Sequence, residues 1–585
     1  MTRRFHFLPA LLLALAVAPS VAVAAAAPVR QVPGEPYLGA KAQPAPRFRA
    51  TTVAPARLTL GPIDLARIAE VQKRNAASPD PVQIGIHRDA AEAGVTLPAP
   101  AWRAVDGGAV ARYEVASPDA LGLRVALKLQ GIPVGIELRV SGSLAPDDVR
   151  FVPGSAVAWQ HRTARVYWTP ATDGERQLIE IFVPDGADRS ALRVELATVS
   201  HLLTNSLERF SLAKDIGDSG TCNVDVVCRI PTLGADYVDT KNAVALMLYS
   251  KSNGTFTCTG TLLADTVPTT QIPYFYTADH CISNETIAAT LNTYWGFEAA
   301  VCGGSTPTPV FQLSQGADYL FSEPHSPNNG IFGTDVSLLR LREPPPAGAY
   351  FSGWNAEEMS NGGVLGVHHP KGDLKMSSLG QRIGQGTYHN EIAWTSGTTE
   401  GGSSGSGLFT ATGQDGAYEL RGGLFGGTAS CSNTGSVSTS TNRDYYSRLD
   451  KAYADIDQWL APPAAAVGPT RDYTGAWYVP GEAGWGLTAF QFDNENQVLF
   501  VLFFLYDGNG APAWYELGGG WSATDVRSGD LYRSDSHQPW STTYNQALRT
   551  FTPIGNASLT FTSATTATLT FTVNGVTRSV GVEKL

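Results

Sequence analysis

The chain has 585 residues, 43% hydrophobic and 16% charged, a balance that supports a packed core and excludes a disordered chain. Its 42 basic and 53 acidic residues give a net charge of −11, against the basic stripe of a nucleic-acid binder. At about 150 residues per domain the length predicts several units, and 60 Gly, 37 Pro and 21 Tyr against 4 Met predict many turns and short strands.

Arg3 and Arg4, the apolar run Leu8–Val17, Pro19 and the tract Ala22-Val23-Ala24-Ala25-Ala26-Ala27 have the layout of a secretory signal. Cleavage is expected after Ala24 or Ala26, with a signal over 1–24 and a secreted, extracellular product. The later apolar run Val498–Tyr506 falls short of the roughly 20 residues that a membrane span needs. Residues 28–60, rich in Pro and Ala, read as a mobile lead-in. Residues 61–214 lack cysteine and carry strand-like runs at Leu121–Leu129, Val134–Val140, Gln177–Val183 and Ala191–Val199, after a helix expected around Leu65–Arg74.

All six cysteines, Cys222, Cys228, Cys258, Cys281, Cys302 and Cys431, fall between about Asp215 and Leu460. In an exported protein an even count reads as three disulfides, with 15 pairings open to spacing alone. A zinc site is disfavoured, because no Cys-x-x-Cys occurs and His280-Cys281 are adjacent. The segment ends in a helical pattern over Tyr446–Leu460, with Leu449, Tyr453, Ile456 and Leu460 in phase, stopped by Pro462-Pro463. Ala464–Pro469 makes a linker within 463–470. Residues 471–585 turn to aromatics, Thr and Gly and read as a small all-β module. Asn574-Gly575 marks a hairpin between Thr568–Val573 and Val576–Val580, and Trp477, Trp485, Trp514 and Trp521 are expected in the core of a sandwich.

Three strings carry chemistry: Tyr276-Thr277-Ala278-Asp279-His280-Cys281, Gly333-Thr334-Asp335-Val336-Ser337, and Glu400-Gly401-Gly402-Ser403-Ser404-Gly405-Ser406-Gly407. Their His, Asp, Ser order is one in which acyl-transfer triads occur. A serine hydroxyl needs a base within hydrogen-bond reach, and an imidazole of pKa about 6.5 suits that role. A buried carboxylate fixes the tautomer and stabilises the imidazolium. Glycines around the serine let backbone N–H groups, here those of Gly402 and Ser404, face a developing oxyanion. Singly, each string reads as a structural histidine, a turn aspartate or a flexible loop. Their coincidence in one cysteine-bearing segment points to a triad of His280, Asp335 and Ser404.

With Thr221-Cys222-Asn223-Val224-Asp225-Val226-Val227-Cys228, Tyr249-Ser250-Lys251 and Gly366-Val367-His368-His369-Pro370 beside those strings, Gly217–Leu460 resembles the trypsin-like serine proteases of chymotrypsin fold, and within them the bacterial lysyl endopeptidases. The resemblance implies a mainly β protein: two antiparallel β-barrels over 215–462, after a propeptide over 25–214 and before the all-β C-terminal domain. It implies His280 as general base, Asp335 as its orienter, Ser404 as nucleophile, and disulfides Cys222–Cys431, Cys228–Cys302 and Cys258–Cys281. It implies protein or peptide substrates, a monomer, no cofactor and no metal, His368-His369 being structural.

Commoner trypsins hold the basic substrate side chain with an Asp six residues before the nucleophile, where this chain has Thr398. By resemblance the pocket charge moves to Asp444, in Thr441-Asn442-Arg443-Asp444. The competing reading is a turn aspartate paired with Arg443 or Arg448. The family's pocket also has a His before a Gly-Gly edge with a Trp stacked on it; here Phe425 precedes Gly426-Gly427. Cleavage after basic residues, Lys preferred, is therefore expected. Ser403 replaces the aspartate that in most trypsins pairs with the freed N-terminal amine, and Lys214-Asp215 is a candidate self-cleavage point. An exported binding or adhesion protein with an inactive segment is the alternative, favoured locally by Asp279 where Ala is commoner.

Overall fold

A computed structural model describes residues 29–39, 45–77, 81–207, 218–267, 270–412, 417–462, 469, 471–492, 498–507, 509–535, 538–539, 541, 543, 545, 548–573 and 575–585. The expected signal, Lys214, most of the linker and Asn574 lie outside those residues. The chain divides into two compact units, Met1–Ala461 and Pro462–Leu585. Among the described residues no helix is long and apolar enough to cross a membrane.

The first unit is mainly β and starts with a two-layer block. One layer orders the strands Ala56–Thr59, Gly108–Ala116, Arg176–Pro184, Glu137–Gly142 and Arg150–Pro153. In Glu137–Gly142 buried Leu138 and Val140 alternate with half-buried Glu137 and Arg139, as a strand with one covered face requires. The facing layer runs Gly122–Gln130, Arg193–Leu202 and Val82–Asp89. Leu123, Val125 and Leu127 of this layer pack with Leu138, Ile179 and Ile181 of the other in one core. The helix Leu65–Ala77 covers the block's flank through Ile68 and Val71.

That second layer continues into the cysteine-bearing segment, since Val82–Asp89 pairs with Gly254–Leu263. Gly254–Leu263 and its partners Val244–Lys251 and Tyr274–Ala278, with Asn292–Trp295, Ala317–Glu323 and Val336–Leu341, build the first barrel. Gly362–His368, Met376–Gln385, His389–Ser396, Asp444–Ser447, Tyr418–Gly427 and Gly407–Ala411 close a second barrel. Disulfides join Cys222 to Cys431, Cys228 to Cys302 and Cys258 to Cys281. The helix Leu449–Leu460 buries Leu449, Tyr453, Ile456 and Leu460. Tyr446 is not part of it: Asp444–Ser447 is a strand, because it fills the last edge of the second barrel.

Two further expectations are corrected in this unit. The described residues within 28–60 do not trail as a lead-in. Gln31–Val32 pairs with Gly353–Asn355, Glu35–Pro36 with Tyr350–Phe351, and Ala56–Thr59 runs parallel to Gly108–Ala116. Proline is tolerated there because an edge strand can spare an N–H. The run Val134–Val140 begins as a turn, with Gly135 at φ 75° and Val134 exposed, and becomes a strand only at Glu137.

Over its described residues the second unit is an eight-stranded closed barrel with a short added strand, not a sandwich, because Pro512–Leu517 at one end of the strand order also pairs with Val526–Asp535. Thr566–Val573 and Val576–Lys584 form the hairpin, with Val573 opposite Val576. Trp477 is buried and Trp485 and Trp521 pack partly against the core, whereas Trp514 is 67% exposed. Trp514 shares the outer face with Phe500, Phe504 and Tyr506, because even-numbered residues of these paired strands point away from the core.

Polar groups join the N-terminal block to the first barrel. Arg124 is fully buried, donating to Thr169 O at 2.9 Å, Thr290 O at 2.6 Å and Ser250 Oγ at 3.4 Å. His201, also fully buried, bonds Ser117 Oγ at 2.8 Å, and Ser200 Oγ meets Thr255 Oγ1 at 2.6 Å. Arg124→Met leaves two buried carbonyls without their donor and should lower stability by about 2–4 kcal/mol, read from denaturant unfolding of the full chain. Burial, with Arg88 and Arg67 nearby, pushes His201 down to about 4. It is neutral when folded and takes up a proton on unfolding below about pH 6.5. Stability should therefore fall as pH drops from about 6.5 toward 4, by up to about 1.4 kcal/mol per pH unit from this residue. A His201→Gln variant should be less stable at pH 7.5 yet lose less of its melting temperature on acidification. Equal slopes would place the acid sensitivity elsewhere.

Candidate active site

Antiparallel pairing brings the first two strings together. Tyr274–Ala278 lies beside Val336–Leu341 with Ala278 opposite Val336, so the residues just past one strand and just before the other meet. Asp335, buried and at φ 59°, accepts the His280 backbone N–H on Oδ1 at 3.0 Å and lies 2.6 Å from His280 Nδ1 through Oδ2. An imidazole so held has its ring plane and tautomer fixed, with Nε2 turned away from the carboxylate.

The serine loop is tied to the first barrel by Thr259. Its N–H donates to Ser404 O at 2.9 Å, and its hydroxyl donates to Gly402 O at 3.0 Å while accepting the His369 N–H at 3.1 Å. Gly402 needs its φ of 92°, and a Cβ there would sit 3.0 Å from the backbone nitrogens of Lys371 and Gly372. Ser404 is fully buried in this arrangement. Cys258, next to Thr259, is bonded to Cys281, next to His280. Cys258, His280 and Cys281 also converge closely enough to suggest a metal cluster, but both sulfurs are committed to that disulfide.

Ser403 hydrogen-bonds His368 Nδ1 at 2.8 Å, and Nε2 of that imidazole meets Ser378 Oγ at 3.1 Å. The Ser378 hydroxyl in turn donates to Thr398 O at 2.8 Å. Burial pushes His368 down to about 3, so it is a neutral part of this chain of bonds. His369 lies on Phe297, its Nδ1 3.0 Å from Asp373 O. Both histidines of the pair thus have structural surroundings.

Asp444 is buried at the start of its strand, opposite Gly427 and Ile392. Its Oδ2 accepts the Trp394 indole N–H at 2.5 Å and the Thr399 hydroxyl at 2.6 Å. A Cβ on Gly427 would collide with Oδ1, so only glycine fits over this carboxylate. Of the nearby arginines, Arg443 pairs with Glu391 at 2.8 Å and Arg448 with Asp450 at 2.6 Å. Asn442 clamps Trp394, accepting its N–H at 3.2 Å and donating to its carbonyl at 2.7 Å. Thr398 is buried one residue from Thr399, bonded to Ser378 through its backbone oxygen.

Phe425 stands between this carboxylate's strand and the histidine. Its ring meets His280 edge-on at 6.3 Å, stacks on His389 at 4.8 Å and meets His325 at 4.8 Å, with His325 and His389 4.4 Å apart. Gly426 follows it, half-buried, in the same strand, Tyr418–Gly427. Sequence reasoning missed Thr259, His325, His389 and Thr399 as parts of the site, and His368 as the partner of Ser403. Each acts across at least 35 residues, and none sits in a motif that announces the contact.

Comparison with known proteins identifies the family. Residues 216–447 match the lysyl endopeptidase C-terminal domain family, and residues 59–203 match the lysyl endopeptidase N-terminal domain family. A lysyl endopeptidase of Pseudomonas aeruginosa is 33% identical over 400 residues, covering 65% of this chain and 82% of that protein. Among solved structures, a thermostable serine protease from an extremophilic microorganism is 17% identical, with a TM-score of 0.26 over 37% of this chain and 98% of that one. An inactive form of Rv3671c from M. tuberculosis is 13% identical, with a TM-score of 0.23 over 38% of this chain and 89% of that one. The chain belongs to the lysyl endopeptidase family and is a serine endopeptidase.

Proposed function

We propose that the chain is the precursor of a secreted monomeric endopeptidase that cleaves proteins after basic residues, Lys preferred, through an acyl-enzyme on Ser404. In this reading His280 Nε2 takes the Ser404 hydroxyl proton as Oγ attacks the scissile carbonyl. Asp335 steadies the imidazolium, and the N–H groups of Gly402 and Ser404 hold the oxyanion. The proton passes to the leaving amine, and a water activated by His280 then releases the acyl group and restores Ser404. The His280–Asp335 contact of 2.6 Å supports these roles.

The observation that carries the substrate class is the Asp444 carboxylate, buried under the glycine edge with neutral donors, Trp394 and Thr399, on its Oδ2. A carboxylate removed from water favours a cationic side chain beside it, and Lys or Arg supplies one. Phe425 stacked on His389 supports a pocket wall unlike the family's His and Trp pair, and so a Lys preference that admits Arg. The basic and apolar start of the sequence together with three disulfides supports export. Residues 25–214 are read as a propeptide removed by cleavage after Lys214, and the module 471–585 as an appended domain without an assigned ligand.

Ser404→Ala should reduce kcat by at least about 10⁴-fold, measured with a lysyl peptide amide. Asp444→Asn, which keeps an acceptor for Trp394 and Thr399, should reduce kcat/KM for Lys and Arg substrates by about 100-fold or more. Digestion of a denatured protein mixture, with mass spectrometry of the new C-termini, reads the specificity directly. New ends at apolar residues in the parent enzyme would remove Asp444 from the pocket while leaving the triad standing.

A further inference from the structure

Two charged side chains outside the triad stand at His280. Asp279 precedes it and is half-buried; its backbone N–H donates to Asp335 O at 3.0 Å, and its Oδ1 accepts the Ser322 hydroxyl. Ser322 Oγ lies 2.6 Å from Tyr319 OH. Lys251, at the end of Val244–Lys251, donates from Nζ to the His280 carbonyl oxygen at 2.8 Å. Its ammonium lies 5.6 Å from the Tyr249 ring centre and 5.7 Å from that of Phe256. One carboxylate on the residue before His280 and one ammonium on its backbone carbonyl therefore flank the histidine in addition to Asp335.

Among the described residues, the other elements at His280 bring rings and a disulfide. From the second barrel comes Phe425, with His325 and His389 behind it. From Gly254–Leu263 comes the Cys258–Cys281 disulfide. Glu323 is committed to Thr334, accepting its N–H at 2.9 Å and its hydroxyl at 2.5 Å. Burial raises the Asp279 carboxyl, opposed by Ser322 and reinforced by Asp335, with His280 and Lys251 opposing further. Burial lowers the Lys251 ammonium, opposed by Asp279 and Asp335.

We propose that Asp279 and Lys251 are positioning residues of opposite sign that set how tightly His280 holds its proton, and thereby where activity fails on the acid side. The proposal rests on the reading of His280 as general base. A carboxylate beside an imidazole favours its protonated form and an ammonium disfavours it. The two side chains therefore pull the histidine in opposite directions, and the unusual Asp279 is an electrostatic setting instead of a mark of inactivity.

The test is the pH dependence of kcat/KM for enzyme produced from the full chain, on one lysyl peptide substrate. Asp279→Asn, which keeps an acceptor for Ser322, should move the midpoint of the acid limb down by about 0.5–1 pH unit. Lys251→Met should move it up by a similar amount, and the double variant should return close to the parent. Should Lys251→Met fail to fold, salt supplies the second readout: the Asp279→Asn shift should shrink between about 0.05 M and about 1 M ionic strength. Midpoints that stay put, or that both move the same way, would overturn the proposal and leave two merely structural side chains. A His280→Ala variant that retains activity would instead overturn the general-base reading itself.

Discussion

The strand Gly254–Leu263 is the constraint on which the site depends. Every residue of it is buried, and through Cys258 and Thr259 it reaches both chemical loops. Cys258 anchors the turn that carries His280, while Thr259 holds the carbonyls of Gly402 and Ser404. In the mechanism proposed above, the distance between Ser404 and His280 must hold to within a few tenths of an ångström. Two loops hung on adjacent residues of one buried strand share their displacements, so motion between the barrels is not passed on directly to the site.

Beneath that strand the polar groups are bonded in chains that end on backbone carbonyls. Ser403, His368, Ser378 and Thr398 form one such chain and reach the serine loop through neutral groups. Neutral donors and acceptors in a dry interior avoid the desolvation penalty of an ion pair and respond little to salt. Around Asp444 the arrangement differs, because a carboxylate is kept in the interior by an indole, a hydroxyl and the absence of a side chain at Gly427. Neutral bonds hold the Ser403 side of the serine loop, while Glu400 at its start pairs with Lys371 at 3.5 Å.

Much of this was legible in the sequence. His280 and Asp335, which the fold brings within 2.6 Å, and the buried Ser404 sit in short strings that stand out in the sequence, and the helix from Leu449 follows from apolar spacing alone. What was not legible depends on contacts between distant segments. The pairing of Gln31–Val32 with Gly353–Asn355 spans more than 300 residues, and Pro/Ala-rich composition gives no hint of it. Tyr446 fits a helical phase equally well and became a strand because a barrel edge needed filling. Trp514 shows the opposite failure: strand alternation, not residue type, decides which tryptophans face the core. His389 beside Phe425 could not be anticipated, since the partner of a stacked ring is fixed by the fold and not by spacing.

The pairing of Val82–Asp89 with Gly254–Leu263 has a bearing on the order in which the molecule is made. The N-terminal block has a core built from its own residues and is synthesised first, so it can fold before the barrels exist. It then offers a finished sheet edge to a strand whose other contacts, to Ser404 for example, lie 145 residues further along the chain. Closing a long loop onto an edge already in place is entropically easier than assembling both partners at once. Moved to the other end of the chain, the same block would make the same native contacts and arrive too late to guide them.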